Sequence, residues 1–319
     1  MKRSVFFRLT AGLLLAGLIF VYAGCIEDDE ETSETSGEKS DLNESATTHL
    51  NVNDFARSNP GSACPEFANG RRYINFAGMC WEVRSSEVAV PAGPNYYTSS
   101  ANDVYVDSQG HLHMKIVFRN GKWYCSEIIS TETTGYGTYV FYAKGPVHDF
   151  DKNVCLGFFT WDDNLLKAGH ISEIDIELTT WGHSLWQNLH FSVQPVHGPD
   201  EESGSYGERD HSTFFVLFSD ESTHGFTWRQ DRIDFSSYHG NGFPTVAELG
   251  SWTFTSDNPG RRYDTGSLGV PVVIPTPTDG THVRIDLWLI DDDNNGFGDA
   301  PSDGQQVEVE ITDFQYFAL

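Results

Sequence analysis

Residues 173 to 177 read Glu173-Ile174-Asp175-Ile176-Glu177, three acids alternating with two aliphatic residues. At the two-residue period of a strand the acids share one face, and Ile174 and Ile176 point the other way into a core. Like charges side by side repel, so a purely structural strand does not normally carry three acids in a row on one face. The first and last Cα of the motif stand about 13 Å apart at about 3.3 Å per residue, a gap across which two Glu side chains can lean together. Retaining glycosidases hold their two carboxyls about 5–5.5 Å apart, a separation within the reach of Glu, with the shorter Asp175 fitting between. Proton sharing among the three would pull their apparent pKa values apart, leaving one carboxylate ionised and one acid protonated. A nucleophile beside an acid/base is what double displacement at an anomeric carbon requires. The same five residues also read as an exposed acidic strand, solvated or holding a cation.

Aromatic residues flank the motif. Trp161 lies upstream in Phe158-Phe159-Thr160-Trp161-Asp162-Asp163, and Trp181 and Trp186 follow it. Flat aromatic faces bind the apolar faces of sugar rings, while neighbouring polar groups take the hydroxyls; core packing is the other reading for each Trp. His190 and Gln194 fall on one face of the next candidate strand, either as polar lining of a cleft or as satisfied structural groups.

The elements that must position these residues are strands. Candidate strands run over Asp103–Val106, His111–Phe118, Tyr136–Tyr142, Val154–Trp161, Ser172–Leu178, Leu189–Gln194, Gly225–Trp228, Val283–Ile290 and Val307–Phe314. Asp107-Ser108-Gln109-Gly110 and Arg119-Asn120-Gly121-Lys122 read as hairpin turns. Helical periodicity is nearly absent, so the pattern predicts an all-β, antiparallel β-sandwich jelly roll. Aromatics at 13%, with 30 Gly and 13 Pro, agree with a β-rich globular chain. Residues 61–319 carry no second linker and no fixed-period repeat, and are enough for one large domain.

The formal net charge of −26 repels phosphate backbones and argues against a nucleic-acid binder. At the N-terminus, Lys2, Arg3 and Arg8 precede an apolar run that ends in Ala23-Gly24-Cys25, the pattern of an export signal over residues 1–25. Tyr22-Ala23-Gly24-Cys25 resembles a lipoprotein processing box in which Cys25 carries the lipid, with Tyr22 where Leu is usual. An uncleaved membrane-anchoring helix and simple secretion are the alternatives, and all three place the rest of the chain outside the cell. Residues 26–60, rich in Glu, Asp, Ser and Thr, read as an acidic disordered tether. Asn43-Glu44-Ser45 is a glycosylation sequon in a host with that machinery.

The carboxylate motif resembles that of glycoside hydrolase family sixteen, the laminarinase and lichenase relatives among the concanavalin A-like jelly rolls. The family signature Glu-x-Asp-x-Glu with aliphatic spacers is matched by Glu173 to Glu177. Ser126-Glu127-Ile128-Ile129 with Thr134-Gly135-Tyr136-Gly137-Thr138-Tyr139 is similar to a second family block, and Ser222-Thr223-His224-Gly225-Phe226-Thr227-Trp228 to a third. The blocks keep the family's order over roughly residues 80 to 319. The resemblance implies that Glu173 is the nucleophile, Glu177 the acid/base and Asp175 the residue that tunes the pair. It implies a retaining endo-glycosidase with a polysaccharide substrate and no required cofactor. A Trp-Pro pair before the aromatic block and an extra residue inside the motif, both common in laminarinases, are absent, which leaves the substrate open among β-glucans and other polysaccharides. The resemblance also implies a possible structural calcium ion, without assigning its ligands.

Asp291-Asp292-Asp293-Asn294-Asn295-Gly296 begins like a calcium loop, but its twelfth position is Ser302 and its flanks read as strands, so a polar hairpin tip is expected. His111 and His113 share a strand face with no third ligand, which argues against zinc. With Cys25 lipidated, Cys64, Cys80, Cys125 and Cys155 allow three pairings; Cys64–Cys80 would pin the entry loop, Cys125–Cys155 would join two strands, and at least one bridge is expected. A monomer is expected. Two readings from other classes stand beside the hydrolase: a non-catalytic carbohydrate-binding or surface adhesion module on the same fold, and a cell-surface structural protein whose acids hold calcium.

Overall fold

The computed structural model describes residues 64–164, 173–194, 210–245, 247–255, 261–262, 270–271 and 274–319. Cys25, the Asn43 sequon, the export signal and the tether to residue 60 lie outside the described residues. Every described element is a strand or a turn.

The strands form two antiparallel layers. One runs in the order Phe67–Ala68, Arg71–Phe76, Met79–Val83, Lys122–Ser130, Thr281–Leu289, Val154–Asp162, Glu173–Leu178, Leu189–Val193 and Asp210–Thr213. The other runs Val104–Val106, Leu112–Arg119, Val307–Ala318, Gly137–Lys144, Glu221–Trp228, Arg232–His239 and Glu248–Thr255. The hairpin Leu112–Arg119/Lys122–Ser130 turns at Asn120 and Gly121, both at positive φ as a two-residue hairpin turn demands, and carries the chain from one layer to the other. Ser86–Val90 pairs with Asn95–Tyr97, which runs parallel to Lys122–Ser130 beside the first layer.

Period-two burial builds the core. Leu156 and Phe158 on one strand, and Ile174, Ile176 and Leu178 on the next, are fully buried. They meet the second layer through aromatic pairs: Phe158 stacks on Phe141 with centroids 4.7 Å apart, Trp81 meets Phe314 edge-on at 5.5 Å, and Phe191 stacks on Phe235 at 5.3 Å. His224, from the third motif block, lies in this core and not with the acids. Its ring nitrogens bond Ser237 and Ser222 at 2.8 and 2.9 Å, and burial lowers its pKa to about 3, so it is a neutral structural group.

Among the described residues the cysteines pair once. Cys64 and Cys80 form a disulfide, while Cys125 and Cys155 are buried free thiols. That meets the expectation of at least one bridge; the other pairing considered, Cys125–Cys155, is not made because the Thr281–Leu289 strand runs between the two. Two strand spacings of about 4.8 Å exceed the roughly 7 Å Cα limit of a disulfide.

Candidate active site

The first layer's outer face carries the site. On strand Glu173–Leu178, Ile174 and Ile176 anchor the core face, so the pleat turns Glu173, Asp175 and Glu177 together to the outside. The neighbouring strand Val154–Asp162 sets Trp161 opposite Glu173, Phe159 opposite Asp175 and Gly157 opposite Glu177. One strand further, Arg284 pairs with Phe159 and Asp286 with Gly157. Glu127 then pairs with Asp286. These residues, with Arg84, Pro91, Ala92 and Trp288, line an open cavity of about 480 Å³. Ligand sites typically run from about 300 to 1,000 Å³.

Gly157 is a required gap. A Cβ there would stand 2.4 Å from Asp286 Oδ1, closer than packed atoms come, so the bare backbone lets the Asp286 carboxyl lean over it toward Glu177. Asp286 is 2% exposed, and its Oδ1 has no hydrogen-bond partner among the described residues although it borders the cavity. An orphaned buried oxygen costs about 1–3 kcal/mol and is uncommon away from working sites.

Hydrogen bonds fix the group. Ser192 Oγ and Gln194 Nε2 donate to Asp175 Oδ2 at 3.0 and 3.1 Å. Glu173 and Asp175 share a side-chain hydrogen bond. The Cys155 thiol donates to Glu177 Oε1 at 3.6 Å. Glu127 accepts from both Arg84 and Arg284, and Arg284 also reaches Asp163 at 2.7 Å.

Burial dominates the electrostatics. It lifts the Asp175 carboxyl to about 7, against the opposing bonds from Ser192 and Gln194. Burial and then the Asp175 charge lift Glu177 to about 8. Glu173 stands well above the usual carboxylate range, through burial and then the charges of Asp175 and Glu177. Asp286 does so through burial and then Glu127 and Glu177. The four acids compete for protons as a set, and a carboxyl that keeps its proton near neutral pH can act as a general acid.

The other expected residues separate. Trp161 lines the cavity, with the Arg284 guanidinium 5.9 Å from its ring centroid. Gln194 reaches the site through Asp175. Trp181 stands behind the cavity wall, edge-on to Trp288 at 6.0 Å and to His190 at 5.8 Å. Trp186 is 52% exposed beside His183 and does not line the cavity. His190 pairs with Glu177 in the backbone, but its ring is occupied by Ser212 Oγ, Thr179 O and Gln187 O, so it braces the strand. Sequence reasoning missed Arg84, Phe159, Arg284, Asp286 and Trp288, and gave Glu127 no role. The signal lay in the Val283–Ile290 run, where Arg284, Asp286 and Trp288 alternate with apolar residues in the same way as the acids.

Away from this face, Asp291, Asp293 and Asp299 bring one carboxylate oxygen each within 4.8 Å of one another. Asp291 and Asp293 accept backbone N–H groups of Asn295 and Gly296, and Asp299 those of Asp292 and Asp293, so hydrogen bonds of the loop already engage all three. His111 and His113 hydrogen-bond Glu310 and Glu308 on the neighbouring strand, an ordinary cross-strand polar ladder.

No protein-family model matches the chain, and no curated protein matches it in sequence. Solved structures match it in shape. A laminarinase from Flavobacterium sp. UMI-01 has a TM-score of 0.51 at 16% identity, over 75% of this chain and 93% of that one. A non-specific endo-β-1,3(4)-glucanase of family sixteen has a TM-score of 0.51 at 12% identity, over 82% and 96%. An immunostimulatory antigen and pseudo β-1,3-glucanase of Mycobacterium tuberculosis has a TM-score of 0.50 at 17% identity, over 75% and 91%. The chain therefore shares the all-β, two-layer jelly-roll fold of these structures.

Proposed function

We propose that this protein is a retaining endo-glycosidase that cuts a β-linked polysaccharide, a β-glucan or a related polymer. The observation that carries the reading is the set of three acids on one strand face at the floor of an open cavity walled by Trp161, Phe159 and Trp288. In the first step the Glu173 carboxylate forms a bond to the anomeric carbon as the bond to the leaving oxygen breaks, and Glu177 gives that oxygen its proton. In the second, Glu177 takes a proton from water, water bonds the anomeric carbon, and the Glu173 ester breaks. Asp175, held by Ser192 and Gln194, shares one proton with Glu173, and with that proton on Asp175 it donates the hydrogen bond that orients the attacking Glu173 carboxylate. The polysaccharide meets the protein outside the cell, where a lipid on Cys25, an uncleaved helix or plain secretion would put it.

Reducing ends measured on β-1,3, β-1,3-1,4, galactan and xyloglucan polymers test the reading, with the anomer first released followed by NMR. Glu173→Gln and Glu177→Gln are each expected to lower turnover at least a thousandfold. Unchanged turnover in Glu173→Gln removes the proposal.

A second reading, a non-catalytic carbohydrate-binding or surface adhesion module, has two observations in its favour. Glu173 stands well above the usual carboxylate range, and a protonated Glu173 is no nucleophile. One protein of the same fold is a pseudo β-1,3-glucanase. Calorimetric binding of oligosaccharides without new reducing ends selects this second reading.

A further inference from the structure

One nucleophilic group at the site has no part in the chemistry above. Cys155 is a free thiol with no exposed surface. It sits one pleat before Gly157 on strand Val154–Asp162, so its side chain leaves the strand on the same side as Gly157, Phe159 and Trp161. Its sulfur lies 3.6 Å from Glu177 Oε1 in donor geometry. The strand's core-facing positions, Val154, Leu156 and Phe158, are all apolar, and an aliphatic side chain at 155 would pack as well as a thiol. What the thiol adds is one hydrogen-bond donor aimed at Glu177.

We propose that Cys155 is a positioning residue that acts through Glu177: its S–H holds Oε1 and leaves Oε2 turned to the cavity as the oxygen that exchanges the proton. The inference rests on reading Glu177 as the acid/base. The thiol cannot reverse the bond by ionising, since burial and then the neighbouring Glu177 and Asp286 charges hold its pKa well above the usual range. It therefore stays a donor, and a donor favours the ionised carboxylate, the one influence on Glu177 that lowers its pKa. The other groups facing Glu177 oppose ionisation or are occupied. Glu173 and Asp175 share its strand, and Asp286 leans toward it over Gly157, backed by Glu127 and Arg84. His190 is its cross-strand partner, with both ring nitrogens engaged.

The test compares the full chain with Cys155→Val and Cys155→Ser. Valine keeps the volume and removes the donor; serine restores a donor. The readout is the carbon-13 resonance of the Glu177 carboxyl against pH, assigned by its loss in Glu177→Gln. In Cys155→Val the carboxyl is expected to lose its proton about half a pH unit higher than in the wild type, as the loss of a weak thiol donor implies. The alkaline limb of kcat/KM should move up with it, because that limb reports the acid that must stay protonated. Cys155→Ser should titrate with the wild type. Equal titration of Cys155→Val and wild type, or equal shifts in the Val and Ser variants, overturns the inference. The two failures separate: if the wild type and Glu177→Gln release the same reducing ends, the acid/base reading falls, whereas a Glu177-dependent activity with an unmoved limb in Cys155→Val removes only the role of Cys155.

Discussion

Three acids on one strand carry a cost that depends on pH. Asp175 and Glu177 are raised from ordinary values of 3.8 and 4.5 to about 7 and about 8. The folded state thus binds more protons than the unfolded chain between those values, and stability must fall as pH rises. Their contribution is whole below about pH 4 and is lost as pH climbs through 7 to 8. Asp175→Asn should flatten this slope and raise the denaturation midpoint at pH 8 relative to wild type, while leaving it nearly unchanged at pH 4. Denaturant titrations at the two pH values decide it, and a parallel offset at both would show that the acid is not the source. A site that destabilises its own strand near neutral pH is what function, rather than folding, would keep. At this scale the motif was legible from alternation alone. The alternation of Asp286 in its own strand was equally visible, but its place beside Glu177 was not, because only the sheet register brings the two together.

The strand Val154–Asp162 works on both faces. Its inner side packs Leu156 and Phe158 into the core, and its outer side gives Gly157, Phe159 and Trp161 to the cavity. Phe158→Ala should lower stability by about 3–5 kcal/mol in chemical denaturation, since the stacked pair with Phe141 is lost and a cavity remains. Gly157→Ala probes the outer side. Its Cβ would collide with Asp286 Oδ1, so Asp286 must swing away from Glu177. The expected result is a fall in turnover of tenfold or more with little change in the thermal midpoint; unchanged turnover would show that the gap is not used. The polar positions of Thr281–Leu289 follow the same rule: Arg284 and Asp286 face the site, while Val283, Ile285 and Leu287 are fully buried.

The described strands form a two-layer sandwich, with one disulfide at the start of the described residues. Cys64–Cys80 spans 16 positions, and linking so short a loop contributes about 3 kcal/mol. Reduction, or Cys64→Ala, should lower stability by about that amount in denaturant, yet leave turnover intact because neither cysteine lines the cavity. A loss of turnover with the fold preserved would show instead that the entry loop shapes the site.

Alternation, turn residues and the near-absence of helical periodicity determined by themselves that this chain makes strands, that Glu173, Asp175 and Glu177 share a face, and that hairpins turn at Asp107–Gly110 and Asn120–Gly121. These are local properties, set by backbone sterics and the two-residue pleat. Which strands become neighbours was decided only by the tertiary structure, because long-range pairing leaves little trace in local sequence. Strand order put Thr281–Leu289 between Cys125 and Cys155 and so denied them a bond. The same order brought Arg284, Asp286 and Trp288 to a site more than a hundred residues earlier in the chain, and gave His190 to bracing rather than to the cavity.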